Sequence, residues 1–186
     1  GSDETIIAKR TGFREAFNED VYKLPRAMPG DLHAPSLNVR PPLPSDTYGI
    51  FRLYSAVLTS SARAAVGLTL DQWQDSREGS RKHVREYVWE HDQRVTAWLR
   101  LAQHGSALTV DAMLHPDAKD VADALVMYVA RLAWGHEEPS WVVPSSQPGI
   151  AEALAQRGWR HTETYTVLVR PLAVYAEDLG LAAASA

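Results

Sequence analysis

The chain has 186 residues, enough for one domain with a sizeable core and some appended segments. Apolar residues make up 45% and charged residues 23%, a globular balance with no low-charge run long enough to span a bilayer. The net charge of −4 argues against a dedicated nucleic-acid binder, and the absence of cysteine excludes disulfides and thiolate metal sites and fits a cytoplasmic protein.

Gly1-Ser2 reads as a tag-cleavage scar and is set aside. Residues 3–25 then run as a helix end, a Gly12-Phe13-Arg14 corner and a strand reaching Pro25. The same order returns as Arg157-Gly158-Trp159-Arg160 and the run up to Pro171. An echo of this kind points to a repeated module, and residues 3–25 are read as the tail of an upstream copy. Residues 26–36 carry Pro29, Gly30 and Pro35 and form a linker.

The main domain is expected over 37–172. Leu37 to Arg40 offers a short strand, closed by Pro41-Pro42. Ser45 or Asp46 starts a helix with Ile50, Leu53, Tyr54, Val57 and Leu58 at helical spacing, and Leu70 to Gln74 makes a second short helix. Three strands follow, over 83–90, 95–101 and 108–114, with turn-like His91-Asp92-Gln93 and Gln103-His104-Gly105 between them. An antiparallel meander is the expected arrangement.

A helix is predicted from Asp117 to about Trp134, apolar on two faces and therefore covered on both. A buried strand at 140–143, a short helix at 149–157 and a last strand at 162–168 complete a mixed α/β sheet. The Ala-rich segment 173–186 reads as a frayed tail.

The run Met113-Leu114-His115-Pro116, a long apolar helix, a strand, a short helix and Gly158-Trp159-Arg160 resembles the GCN5-related N-acetyltransferase (GNAT) superfamily. The resemblance implies a mostly antiparallel central sheet flanked by helices. It also implies an acetyl-CoA site in the splay between two parallel central strands. In that family a loop of pattern Q/R-x-x-G-x-G/A gives backbone N–H groups to the CoA pyrophosphate at a helix N-terminus, where orphan amides and the helix dipole favour an anion. The corresponding residues here are Leu114, His115, Asp117, Lys119, Asp120, Val121 and Ala122.

The pattern is altered at that loop. The glycine positions fall on Asp120 and Ala122, the leading Gln/Arg falls near Asp117, and the loop is about two residues short. An aspartate at a helix start caps the amides a pyrophosphate needs. Its charge also opposes phosphate, since two unit charges ~4 Å apart interact by about 4 kcal/mol at an effective dielectric near 20. Lys119 offsets part of this. Read without the family, three acids in the first turns simply stabilise a helix dipole.

The resemblance assigns the catalytic base to a carboxylate on the strand before this loop, which is Asp111. It places a tyrosine general acid four residues before the Gly-aromatic corner, and that position is Leu154, with no proton to give. Tyr128 and Tyr165 stand in only where the fold brings them to the cleft. The histidines show no metal-ligand spacing, so no metal is expected. The basic run Arg77, Arg81, Lys82 and Arg85 reads as a solvated face or a contact for a CoA 3′-phosphate. The six tryptophans mostly read as core, with Trp73 and Trp89 also placed to line a cleft.

Two functions remain open. One is transfer of an acetyl group from acetyl-CoA to a small-molecule amine or a protein acceptor. The other is a non-catalytic pseudo-acetyltransferase module that binds another ligand or protein. The expected partner is an upstream GNAT-like half or a second copy in a homodimer, with no nucleic acid and no membrane.

Overall fold

A computed structural model describes residues 3–24, 38–60, 62–63, 67–77 and 83–170. The expected linker 26–36, the tail 173–186 and Arg81-Lys82 of the basic run lie outside the described residues.

In chain order come α1 (Asp3–Arg10), β1 (Arg14–Lys23), β2 (Val39–Arg40), α2 (Thr47–Val57) and α3 (Leu70–Arg77). Strands β3 (Val84–His91), β4 (Arg94–His104) and β5 (Ala107–Leu114) follow, then α4 (Ala122–Ala133) and β6 (Glu137–Pro144). Helix α5 (Pro148–Gln156) and β7 (Arg160–Val169) end the described chain. The seven strands form one sheet in the order β2-β3-β4-β5-β6-β1-β7. Among the described residues only β5 and β6 run parallel.

The meander β3-β4-β5 follows from its turns. Asp92 and Gln93 have φ of 48° and 59°, the left-handed pair that a two-residue hairpin needs between His91 and Arg94. Strand alternation then sorts the faces. Leu108, Val110, Ala112 and Leu114 of β5 pack with Leu125, Val126, Val129 and Ala130 of α4 and with Ile150 and Leu154 of α5. On the other face Val88, Trp98 and Met113 pack against Ile50, Leu53 and Val57 of α2 and Trp73 of α3.

Helix α4 is covered on both sides, as its two apolar stripes require, because α5 packs beside it. It begins later than its sequence pattern implies. Pro116–Val121 forms a 3-10 segment, broken at Ala118 (φ −108°, ψ 33°), before the α-helix starts at Ala122. Of the tryptophans, Trp73, Trp98, Trp141 and Trp159 are buried, Trp89 is half-buried and Trp134 is exposed.

The N-terminal segment does not stand apart. β1 lies inside the sheet, antiparallel to β6 on one side and to β7 on the other. Its corner matches the later one in detail. Gly12 (φ 90°) ends α1 and Gly158 (φ 79°) ends α5, with Phe13 N–H donating to Ala8 C=O (3.1 Å) and Trp159 N–H to Leu154 C=O (3.0 Å).

At the other edge Arg40 ties β2 to its surroundings. Its guanidinium donates to both Asp46 oxygens (2.6 and 3.0 Å) and to Glu90 (2.7 Å), while Leu43 N–H also donates to Asp46 (2.6 Å). These bonds, the Arg40 contact first, hold the buried Asp46 carboxyl below its usual range. A carboxyl lowered by folding contributes stability above its unfolded pKa and loses it as pH falls through the folded value. Asp46→Asn is expected to lower the melting temperature by roughly 3–8 °C at pH 7. The gap to the wild type should shrink towards pH 3, as read by thermal scans across pH.

Candidate functional site

The site is built where β5 and β6 part. Their parallel register runs to Asp111 opposite Val142, after which β6 follows β1 and leaves the end of β5 uncovered on that edge. Parting strands expose backbone groups that must find partners when buried. Gln147, just beyond β6 and one residue before α5, supplies them. Leu114 N–H donates to its Oε1 (2.7 Å), and its Nε2 donates to Ala112 C=O (3.0 Å). The side chain is buried, and the contact copies a strand partner with a side-chain amide.

Asp111 sits on the opposite face of β5 from Ala112 and Leu114. Arg100, its neighbour on β4, donates to it at 3.3 Å. Burial raises the Asp111 carboxyl above its usual range, opposed by Arg100. Glu19 of β1 is raised by burial and then by the negative charge of Asp111. The expected base is therefore paired with Arg100 and lies near a second carboxyl, Glu19, on the sheet face that also carries Met113.

The loop residues are arranged differently. His115 caps the 3-10 segment, its Nδ1 accepting from Asp117 N–H (3.2 Å) and its carbonyl from Ala118 N–H (2.9 Å). Ala122 N–H donates to Lys119 C=O, and Ala122 itself is buried. The entrance amides of Asp117, Ala118 and Ala122 are thus satisfied within the loop. Lys119, Asp120 and Asp117 are exposed, and Val121 is half-buried.

Asp123 points away from this entrance. It accepts two bonds from Arg157 (2.6 and 2.5 Å), which clamp the start of α4 to the end of α5 and lower the Asp123 carboxyl. Leu154 is fully buried. Tyr128 packs edge-on to Tyr87 under the sheet, and Tyr165 donates to Glu163 on the exposed β7.

His115 also lines two clefts on the far side of β5. One of about 410 Å³ is bounded by His91, Arg94, Thr96 and Asp117, the other of about 310 Å³ by Tyr48, Arg52 and Glu90. Neither includes Asp111 or Ala122. Among the described residues no three His, Asp or Glu side chains gather as metal ligands would.

This parallel splay within an otherwise antiparallel seven-stranded sheet, with a helix-entrance loop beside it, matches known structures. A GCN5-related N-acetyltransferase from Sphaerobacter thermophilus superposes with a TM-score of 0.56 at 14% identity, covering 90% of this chain and 56% of that one. The chain has the GNAT fold. A GCN5-related N-acetyltransferase from Anabaena variabilis matches with a TM-score of 0.60 at 12% identity, over 91% of this chain and 44% of its own. A functionally unknown conserved protein from Staphylococcus epidermidis gives a TM-score of 0.63 at 12% identity, over 92% and 69%. The chain spans about half the length of the two acetyltransferases. No protein-family model and no curated protein matches the sequence.

Sequence reasoning missed Gln147. The available signal was a Gln-Pro pair a few residues beyond a buried strand, where a parallel pair has to diverge. It also missed Arg100 and Arg157 as the ion-pair partners of Asp111 and Asp123, and Glu19 as a second carboxyl near Asp111. Gln147→Ala leaves one buried donor and one buried acceptor without partners, a cost of about 1–3 kcal/mol. The expected result is a melting temperature lower by roughly 2–10 °C, with the helical circular-dichroism signal retained at 20 °C.

Proposed function

We propose that this chain is a non-catalytic GNAT-fold module whose cofactor cleft is closed. The Gln147 bridge carries the reading. An acetyl-CoA tail entering the splay would find these two backbone groups of β5 already bonded to the Gln147 amide. The loop adds to this, because Asp117 and Asp120 place negative charge where a pyrophosphate would sit and the nearby amides are already bonded. Leu154 offers no proton. The residues present do not fit a CoA pyrophosphate.

One observation favours the alternative reading, acetyl transfer to an amine. Asp111 is a half-buried carboxyl raised by burial, as a general base requires. Its contact with Arg100 works against that role by stabilising the charged form.

Thermal unfolding with millimolar acetyl-CoA separates the readings. A ligand at a hundred times its Kd adds about 2.7 kcal/mol and raises the midpoint by roughly 5–10 °C. The closed cleft predicts no shift and no CoA release in a thiol assay with amine acceptors. A clear upshift would overturn the closed cleft, and CoA release with an amine would favour acetyl transfer with Asp111 as base.

A further inference from the structure

The β1–β7 ladder has an internal two-fold axis. Its pairs exchange with one another when the two strands are swapped. Arg14·Val169 exchanges with Lys23·Arg160, Glu15·Leu168 with Tyr22·His161, and Phe17·Val167 with Val21·Glu163. Asn18·Thr166 exchanges with Asp20·Thr164, and Glu19·Tyr165 is its own image. Even the irregularities obey the axis, since the skipped residues are Ala16 on β1 and Thr162 on β7. The helices and glycine corners before each strand follow the same relation.

The axis relates unlike environments. On β1, residues 19–23 pair with β6. Their images on β7, residues 165–169, form the sheet's outer edge, with no strand beyond it among the described residues. Seven buried apolar positions have images under this relation, and five of those images are apolar, the exceptions being Arg170 for Leu24 and Glu4 for Ile150. Val21, Tyr22, Ala153, Leu154 and Trp159 are buried in this unit. Their images are Val167, Leu168, Ile7, Ala8 and Phe13, all apolar and none buried, with Ile7 62% exposed. An apolar set kept at positions without cover marks an interface.

We infer that this edge and the Ile7 face of α1 dock a second GNAT-fold unit, which lays a β6-like strand along Tyr165–Val169 and an α4-like helix over α1. Each unit then donates its last strand to the sheet of the other, and one continuous sheet passes through both. A second copy of this chain cannot supply that β6-like strand, because both edges of its own β6 are already taken by β5 and β1. Connectivity identifies the partner. In this unit α5 follows β6 after three residues, so its image α1 follows the partner's strand on the same polypeptide, ahead of Asp3. The inference is independent of whether the cofactor cleft is closed.

Hydrogen exchange of the native-length polypeptide and of the 186-residue chain tests it. Alternate amides of Tyr165–Val169 should exchange freely in the short chain and at least ~100-fold more slowly in the native-length protein. Ile7→Lys and Val167→Lys should leave the melting temperature of the short chain within about 2 °C of wild type and lower that of the native-length protein. Equal exchange in both proteins, or a native-length protein without a second unit, would overturn the inference. So would destabilisation of the short chain by Ile7→Lys as large as that of the native-length protein.

Discussion

Two parallel strands that part inside a protein leave backbone groups that water no longer reaches, and this constraint organises the site. β5 and β6 separate after Asp111 and Val142 because β6 turns to follow β1. The buried N–H of Leu114 and C=O of Ala112 must then be met from elsewhere. In this chain the partner is built in, as the carboxamide of Gln147. A cleft that closes its own hydrogen bonds has little to gain from a ligand that offers the same ones.

The surrounding charges point in the same direction. The helix entrance that suits an anion on backbone grounds is capped by His115 and carries exposed Asp117 and Asp120, so its dipole is already answered. Asp123 is spent on Arg157, joining α4 to α5. Asp111 keeps a raised carboxyl but shares it with Arg100 and the nearby Glu19. A raised carboxyl weighs on stability at neutral pH and is relieved as pH falls, the reverse of Asp46 and Asp123. A protein can carry such a group for binding as readily as for catalysis.

Local chemistry was legible in the sequence, and non-local pairing was not. The meander followed from alternation and the two turn-like stretches at 91–93 and 103–105, and the double coverage of α4 from its two apolar stripes. The Gly-aromatic-Arg echo was visible because glycine is needed where a helix stops in the left-handed region. The place of β1 between β6 and β7 was hidden, since its register is set by strands more than a hundred residues away. The 3-10 form of Pro116–Val121 depends on the His115 cap, and helical spacing alone extended α4 too far. The role of Gln147 required knowing which two strands diverge, something no local pattern records.

The most direct test is a nuclear magnetic resonance titration of the labelled chain with acetyl-CoA, following the Leu114 backbone amide and the Gln147 side-chain amide. The account predicts that both signals stay in place at millimolar cofactor and that the Leu114 amide exchanges slowly throughout. A saturable shift of both signals, with the Gln147 amide released to solvent, would show that the cofactor displaces the bridge and would contradict the closed cleft.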